Sequence, residues 1–438
     1  MRTILAALFL LIAVAPARAQ EMVPSSDLAE IYADAADRIT TAALADSAAW
    51  ERLAYMSDTF GSRFSGSQSL EDAIDWILGE MQVDGLEQVR GEPVMVPRWV
   101  RGDESLFLTQ PRGAELALLG LGGSIGTPVE GLEADVLVVD SFDELEARAA
   151  DAVGKIVLFN VPFTTYGQTV QYRVNGAVRA AQVGAVGSLV RSVASSSLYT
   201  PHTGTSRYEE GVPQIPHAAI TVEDAMMMRR MQDRGQPVRV RLHMDAMTMP
   251  DSPSRNVVAE LRGSELPDEI VVMGGHIDSW DVGTGAMDDG GGCIAAWQAL
   301  KLLNDLGLRP RRTIRVVMWT NEENGTAGGR GYRDAHMDEL DNHVLAIESD
   351  GGTFAPRGFG ITGKHDAYIR LLGIAPLLQP LVEGDEPIRR GGGGADIAPI
   401  MRYGVPGMGH LVVGDTYFDY RSWPTSSPTC PSGWSATT

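Results

Sequence analysis

From Asn256 onward, short apolar runs alternate with longer amphipathic ones. Asn256 to Leu261, Glu269 to Met273, Thr313 to Trp319 and His343 to Ile347 are the short runs. Their length and their Val and Ile content read as buried strands. Gly290 to Leu306 places Ile294, Trp297, Leu300 and Leu303 on one helical face, with Gly307 as a stop and Pro310 beyond it. Strands alternating with helices predict an α/β fold, a mostly parallel central sheet flanked by helices. Upstream, residues 27–57 and 69–84 read as helices. Ser69-Leu70-Glu71-Asp72 has capping-box form, and Ala73, Trp76, Ile77 and Glu80 follow at helical spacing. The stretch from Phe60 to Ser67 is a polar, glycine-rich loop between them.

The pattern changes between about 95 and 245. Ala134 to Val139 and Lys155 to Phe159 read as short buried strands, and Ala180 to Gly187 is a run of small residues. Pro237 to Met244 alternates strictly, with Val238, Val240, Leu242 and Met244 set against Arg239, Arg241 and His243. That is a half-buried strand. No dense group of metal-type residues occurs here. The expectation is a discontinuous main domain, 20–95 and 246–438, with an inserted β-rich module over 96–245 that carries no catalytic chemistry.

With 438 residues, 44% hydrophobic and 21% charged, the chain suits two globular domains. Its net charge of −21 argues against nucleic acid, whose recognition needs a basic stripe. Met1 to Ala19 has the form of a signal peptide, with Arg2, an apolar Ile4 to Val14 and an Ala17-Arg18-Ala19 cleavage site. The apolar run is short for a membrane span. A secreted or periplasmic protein with no other membrane element is expected. Cys293 and Cys430 are the two cysteines, too few for a disulfide framework, and Cys293 sits in the apolar helical pattern as a core residue.

The candidate chemistry lies where the predicted strands end. His276 follows one strand, with Asp278 two residues on and Asp288-Asp289 beyond a glycine-rich turn. Glu322-Glu323 follows the next strand, and Glu348-Ser349-Asp350 the one after. Ligands collect at the carboxyl ends of parallel strands, so this shared placement predicts convergence. An imidazole among carboxylates suits zinc. Asp278 is expected to accept a hydrogen bond from the second ring nitrogen of His276 and fix its tautomer. Asp288-Asp289 costs repulsion without a cation, although alone it would serve equally as a cap before Gly290. Neighbouring side chains diverge, so one member of Glu322-Glu323 can ligate while the other acts as a base on metal-activated water. Glu348 is expected to support its loop. His202, His217, His243, His336, His343 and His365 have no paired context and read as structural.

Those residues stand in runs that resemble the co-catalytic dizinc exopeptidases, the family of bacterial aminopeptidases and glutamate carboxypeptidases. The runs are GGHIDSWDVGTGAMDDGGG, NVVAELRGSE, LGLRPRRTIRVVMWTNEENG, ESDGGTF and GADIAPIMRYGVPG. GSRFSGS resembles the family's N-terminal segment, and GKIVLFN and IPHAAIT resemble its inserted protease-associated domain. The resemblance extends to about Tyr420. It implies two zinc ions, a peptide substrate and a homodimer. By the same analogy His276 and Asp350 would serve one zinc, Asp288 would bridge both through a cis peptide to Asp289, and Glu323 would hold the second. Glu322 would be the general base, and the loop Gly391 to Asp396 would lie near the substrate.

One departure stands out. After its Tyr-Phe-x-Tyr segment the family has His-His, which supplies the last zinc ligand. Here Tyr420 is followed by Arg421-Ser422-Trp423-Pro424. His410 is the nearest substitute; without it Asp288 and Glu323 are the second site's protein ligands. The leading expectation is therefore a secreted zinc exopeptidase for dipeptides or short peptides. The alternative is a catalytically impaired homologue that binds metal or peptide. Glutaminyl cyclisation uses the same fold, but the His-Asp-Glu-Asp set resembles the peptidases more closely.

Overall fold

The computed structural model describes residues 27–414 and Tyr417. The expected signal peptide, Cys430 and the atypical tail 421–438 lie outside the described residues. The first sheet runs, in spatial order, through Glu87–Val100, Met247–Leu261, Arg312–Trp319, Leu266–His276, His343–Glu348, Gly407–Val412, Pro356–Thr362 and Ile388–Arg390. The middle four strands, from Arg312–Trp319 to Gly407–Val412, are mutually parallel. The strands flanking this centre pair antiparallel. Ile388–Arg390 pairs parallel with Pro356–Thr362, so the sheet is mixed, with a parallel centre and four of its seven pairings parallel.

Both faces of Arg312–Trp319 are buried along most of its length, which is why it reads as a continuous apolar run. Val316 and Met318 point to one face, where they pack with Leu53, Met56, Leu70, Ile74, Ile77, Trp297 and Leu300. Val317 and Trp319 point to the other, against Tyr332, Leu340, Ile397 and Ile400. Cys293 is buried in the first of these clusters.

The helix expected over 27–57 is two helices, Leu28–Ala45 and Ala48–Phe60. The break falls at Asp46, whose Oδ1 accepts from the Ala48 amide at 2.9 Å. A short acceptor side chain that competes for backbone donors ends a helix in this way. The next helix, Gln68–Val83, is capped by Ser67 rather than Ser69.

Residues 104–244 build a second sheet, ordered Ala114–Leu116, Glu104–Gln110, Arg239–Met244, Leu132–Val139, Ile156–Phe159, Gly187–Arg191, His217–Ile220 and Leu118–Gly120. It is α/β in character, with helices Tyr166–Gln182 and Val222–Asp233 as well as strands. The small residues Ala177, Ala180 and Ala181 are the buried face of the first of these, packed against Val157 and Phe159. Alanines let the helix approach the sheet closely but carry too weak an apolar period to reveal it in the sequence. The chain leaves the first sheet along Glu87–Val100 and returns along Met247–Leu261, paired as far as Val100 opposite Met247. The expected boundary at 95/96 therefore falls inside a strand. The polar segment 247–255 concealed that extension, because several of its side chains face solvent.

A polar network ties the outer strand to the helical layer. The His336 Nε2 atom lies 3.0 Å from Glu92, and its Nδ1 lies 2.6 Å from Glu339. Arg315 reaches Glu260 at 2.8 Å and Glu339 at 2.6 Å. Burial opposes charging of His336, but its bonds to Glu339 and Glu92 prevail and raise its pKa above 6.5. The His336 bond and Arg315 hold Glu339 down at about 2. The imidazolium's stabilising contribution is complete below pH 6.5 and is lost as pH rises through the folded-state value. The Glu339 contribution is present above pH 4.5 and disappears as pH falls toward about 2. Denaturant titrations are expected to show the midpoint falling more steeply above pH 6.5 for the parent chain than for His336→Gln. Equal slopes would remove His336 from this account.

Candidate metal centre

The three adjacent strands Arg312–Trp319, Leu266–His276 and His343–Glu348 end on one side of the sheet. Just past these ends the structure brings the expected residues together. His276 is fully buried; its Nε2 lies 3.2 Å from Asp288 Oδ1, 3.8 Å from Asp350 Oδ1 and 4.0 Å from Glu322 Oε2. Among the described residues two groups could hold a cation, His276 with Asp288 and Glu323, and His276 with Asp289 and Asp350. In each group, ligand atoms lie within 4.8 Å of one another.

Asp278 acts differently from expectation. The second ring nitrogen of His276 donates to the Asp278 main-chain carbonyl at 2.9 Å, while the carboxylate is 3.6 Å away. That bond leaves Nε2 as the nitrogen available to a metal. The Asp278 carboxylate instead accepts the amides of Glu322 at 2.9 Å and Glu323 at 3.3 Å. One residue therefore orients the imidazole and both glutamates.

Asp288 and Asp289 are joined by a cis peptide bond. The Asp289 carboxylate accepts the Gly292 amide at 3.0 Å and the His276 amide at 3.2 Å. Burial, with Asp350 nearby, pushes its pKa well up. Two glycines make this packing possible. A Cβ at Gly275 would lie 2.1 Å from Asp289 Oδ2, and one at Gly292 would lie 1.9 Å from the Ser349 carbonyl.

Glu348 is expected to support its own loop, but its carboxylate holds the loop ending at Asp396. Its Oε2 accepts the Asp396 amide at 3.0 Å and the Ile397 amide at 2.9 Å. Burial raises the Glu348 pKa to about 7 against the opposing Ile397 bond, with Asp350 adding to the rise. Asp396 is also buried, and burial beside Glu348 pushes its pKa well up.

His410 lies on the strand Gly407–Val412 with its Nδ1 3.1 Å from Ser349 Oγ, its ring resting on Phe359. It belongs to neither cation-holding group among the described residues. The structure thus does not bring the expected substitute ligand into the cluster.

Sequence reasoning missed Arg63, Ser65 and Asn321. Arg63 is fully buried. It donates to the carbonyls of Ile277 at 3.0 Å, Thr284 at 2.7 Å, Gly285 at 2.9 Å and Gly61 at 3.0 Å. It thereby clamps the turn that separates His276 from Asp288. Asn321 Nδ2 donates to Ser65 Oγ at 3.0 Å, which ties the same loop to the Glu322 turn. The only signal in the sequence was an arginine in a glycine-serine loop; its partners are main-chain carbonyls, which no sequence marks.

The donor set is one imidazole nitrogen and several carboxylates, mostly buried. Carboxylates gathered in a low-dielectric interior need a compensating cation, and this nitrogen and oxygen set fits zinc. The M28 peptidase profile matches residues 256–427. Carboxypeptidase Q from Bos taurus is 50% identical over 395 residues, covering 90% of this chain and 83% of the bovine protein. The chain belongs to peptidase family M28. It is a metallo-exopeptidase of that family. A crystal structure of a peptidase M28 precursor from Shewanella amazonensis superposes with TM-score 0.86 at 35% identity, covering 90% of this chain and 91% of that one. A zinc aminopeptidase from Bacillus subtilis shares the fold, with TM-score 0.62 at 20% identity over 84% of each chain.

In this M28 metallo-exopeptidase, removing Arg63 would leave buried carbonyls without donors. Arg63→Ala is expected to cost at least about 3 kcal/mol, read from urea unfolding of the metal-free chain. A loss under about 1 kcal/mol would show that the turn holds itself.

Proposed function

We propose that this chain is a secreted zinc exopeptidase hydrolysing dipeptides or short peptides, with Glu322 as general base. The observation that carries the reading is the convergence of Asp288, Glu322 and Asp350 on the Nε2 of one buried histidine. His276, Asp288, Glu323 and Asp350 would hold two zinc ions, with Asp288 shared and Asp289 supporting the turn. When bound, zinc supplies Lewis acidity for the attacking water and for the scissile carbonyl.

Glu322 supplies the proton transfers. Its amide is anchored on Asp278, and its Oε2 lies 4.0 Å from the imidazole. It takes a proton from the water whose oxygen attacks the carbonyl carbon. As the carbon–nitrogen bond breaks, it returns that proton to the leaving amine. The second sheet is read as a protease-associated domain from its GKIVLFN and IPHAAIT segments. Export rests on the Met1 to Ala19 pattern. Among the described residues no helix is long and apolar enough to cross a membrane. A homodimer is carried over from the family.

The second reading, an impaired metal- or peptide-binding homologue, is favoured by one observation. His410 bonds Ser349 rather than joining the cluster, and no histidine stands near position 421. Hydrolysis of Ala-Ala by the zinc-loaded full chain separates the two. The expected result is turnover that chelation abolishes and zinc restores, and that Glu322→Gln lowers by about 10²- to 10⁴-fold. Zinc uptake without turnover would replace the first reading by the second.

A further inference from the structure

The module built from residues 104–244 contacts two of the three loops of the metal centre. Thr205 Oγ1 donates to the main-chain carbonyl of Glu323 at 2.7 Å, across 118 residues of sequence. The amide of Glu323 is held from the other side by the Asp278 carboxylate at 3.3 Å. The backbone of Glu323 is therefore fixed at its amide by the main domain and at its carbonyl by the inserted module.

Thr205 is itself anchored. It forms a bridge with Gly122, whose amide donates to Gly204 at 3.0 Å and whose carbonyl accepts from Ser206 at 2.8 Å. Gly122 lies against Trp280 so closely that a Cβ there would come within 2.2 Å of the indole. Trp280 belongs to the turn between His276 and Asp288, and its ring stacks on Phe64 at 5.0 Å. Arg101 forks onto Asp281 in that same turn, with contacts of 2.8 and 2.5 Å. The loops after His276 and after Trp319 thus meet one strip of the module, Gly122 with Thr205.

We propose that Thr205 is a positioning residue for the cation site that Glu323 shares with Asp288. The inserted module is then part of the metal centre's framework. This inference rests on the reading of Glu323 as a zinc ligand. A hydrogen bond to the carbonyl fixes the plane from which the Glu323 side chain departs, and partners of this kind set ligand direction.

The test uses the full chain in three forms, parent, Thr205→Val and Thr205→Ser. Valine keeps the shape and removes the hydroxyl; serine keeps the hydroxyl. Zinc is titrated against a chromophoric chelator, and the metal-free melting temperature is measured in parallel. Thr205→Val is expected to take the first zinc equivalent as the parent does and the second about tenfold more weakly. Thr205→Ser is expected to match the parent, with all three metal-free forms melting together. Unchanged second-equivalent affinity in Thr205→Val overturns the proposal. So does a serine variant as weak as the valine one, or a zinc loss that tracks a lowered metal-free melting temperature. If the parent takes up only one equivalent, the reading of Glu323 as ligand falls, and the inference falls with it.

Discussion

Ionised carboxylates repel one another in a low-dielectric interior, and this fold gathers them around a single imidazole. The arrangement is tolerable because several of these carboxyl groups accept main-chain amides, and burial raises the pKa of Asp289 and Glu348. Asp278 takes the amides of Glu322 and Glu323. Asp289 takes those of His276 and Gly292. Glu348 takes those of Asp396 and Ile397. Each such carboxylate pins a loop while it is being stabilised. Asp288, Glu323 and Asp350 complete the groups in which a cation could balance the rest.

The remaining constraint is to keep those loops in register with one another. Arg63 does this for the turn after His276, directing its guanidinium to the carbonyls of Ile277, Thr284 and Gly285. Ser65 and Asn321 extend the tie to the Glu322 turn. The second sheet adds an outer support, since Phe64, Trp99 and Trp280 share one apolar cluster with its Leu106, Val240 and Leu242. The long excursion of the chain is therefore packed into the same framework that holds the site.

Much of this architecture is legible in the order of residues alone. The strands Arg312–Trp319 and His343–Glu348 stand where their apolar runs put them. His276, Glu322, Glu323 and Asp350 meet past their ends because parallel strands deliver their following loops to one side. The features that the residue pattern conceals have local causes. An alanine-rich helix face is too weakly apolar to register, and a polar edge segment hides the length of Met247–Leu261. An aspartate inside a helical pattern hides the break at Asp46.

The sequence by itself determined which donor types stand at which strand ends, because apolar periodicity and glycine-rich turns are properties of neighbouring residues. The tertiary structure alone decided which atoms hold which. It put the Asp278 carbonyl, not its carboxylate, under the imidazole, and it seated Arg63 against the turn after His276 and Thr205 against the Glu323 carbonyl. It also kept His410 on Ser349 and outside the cluster. The reason is physical. These contacts run to main-chain groups and to residues far apart in the chain. Every residue carries the same carbonyl and nearly every one the same amide, so only the folded path of the chain decides which of them meet.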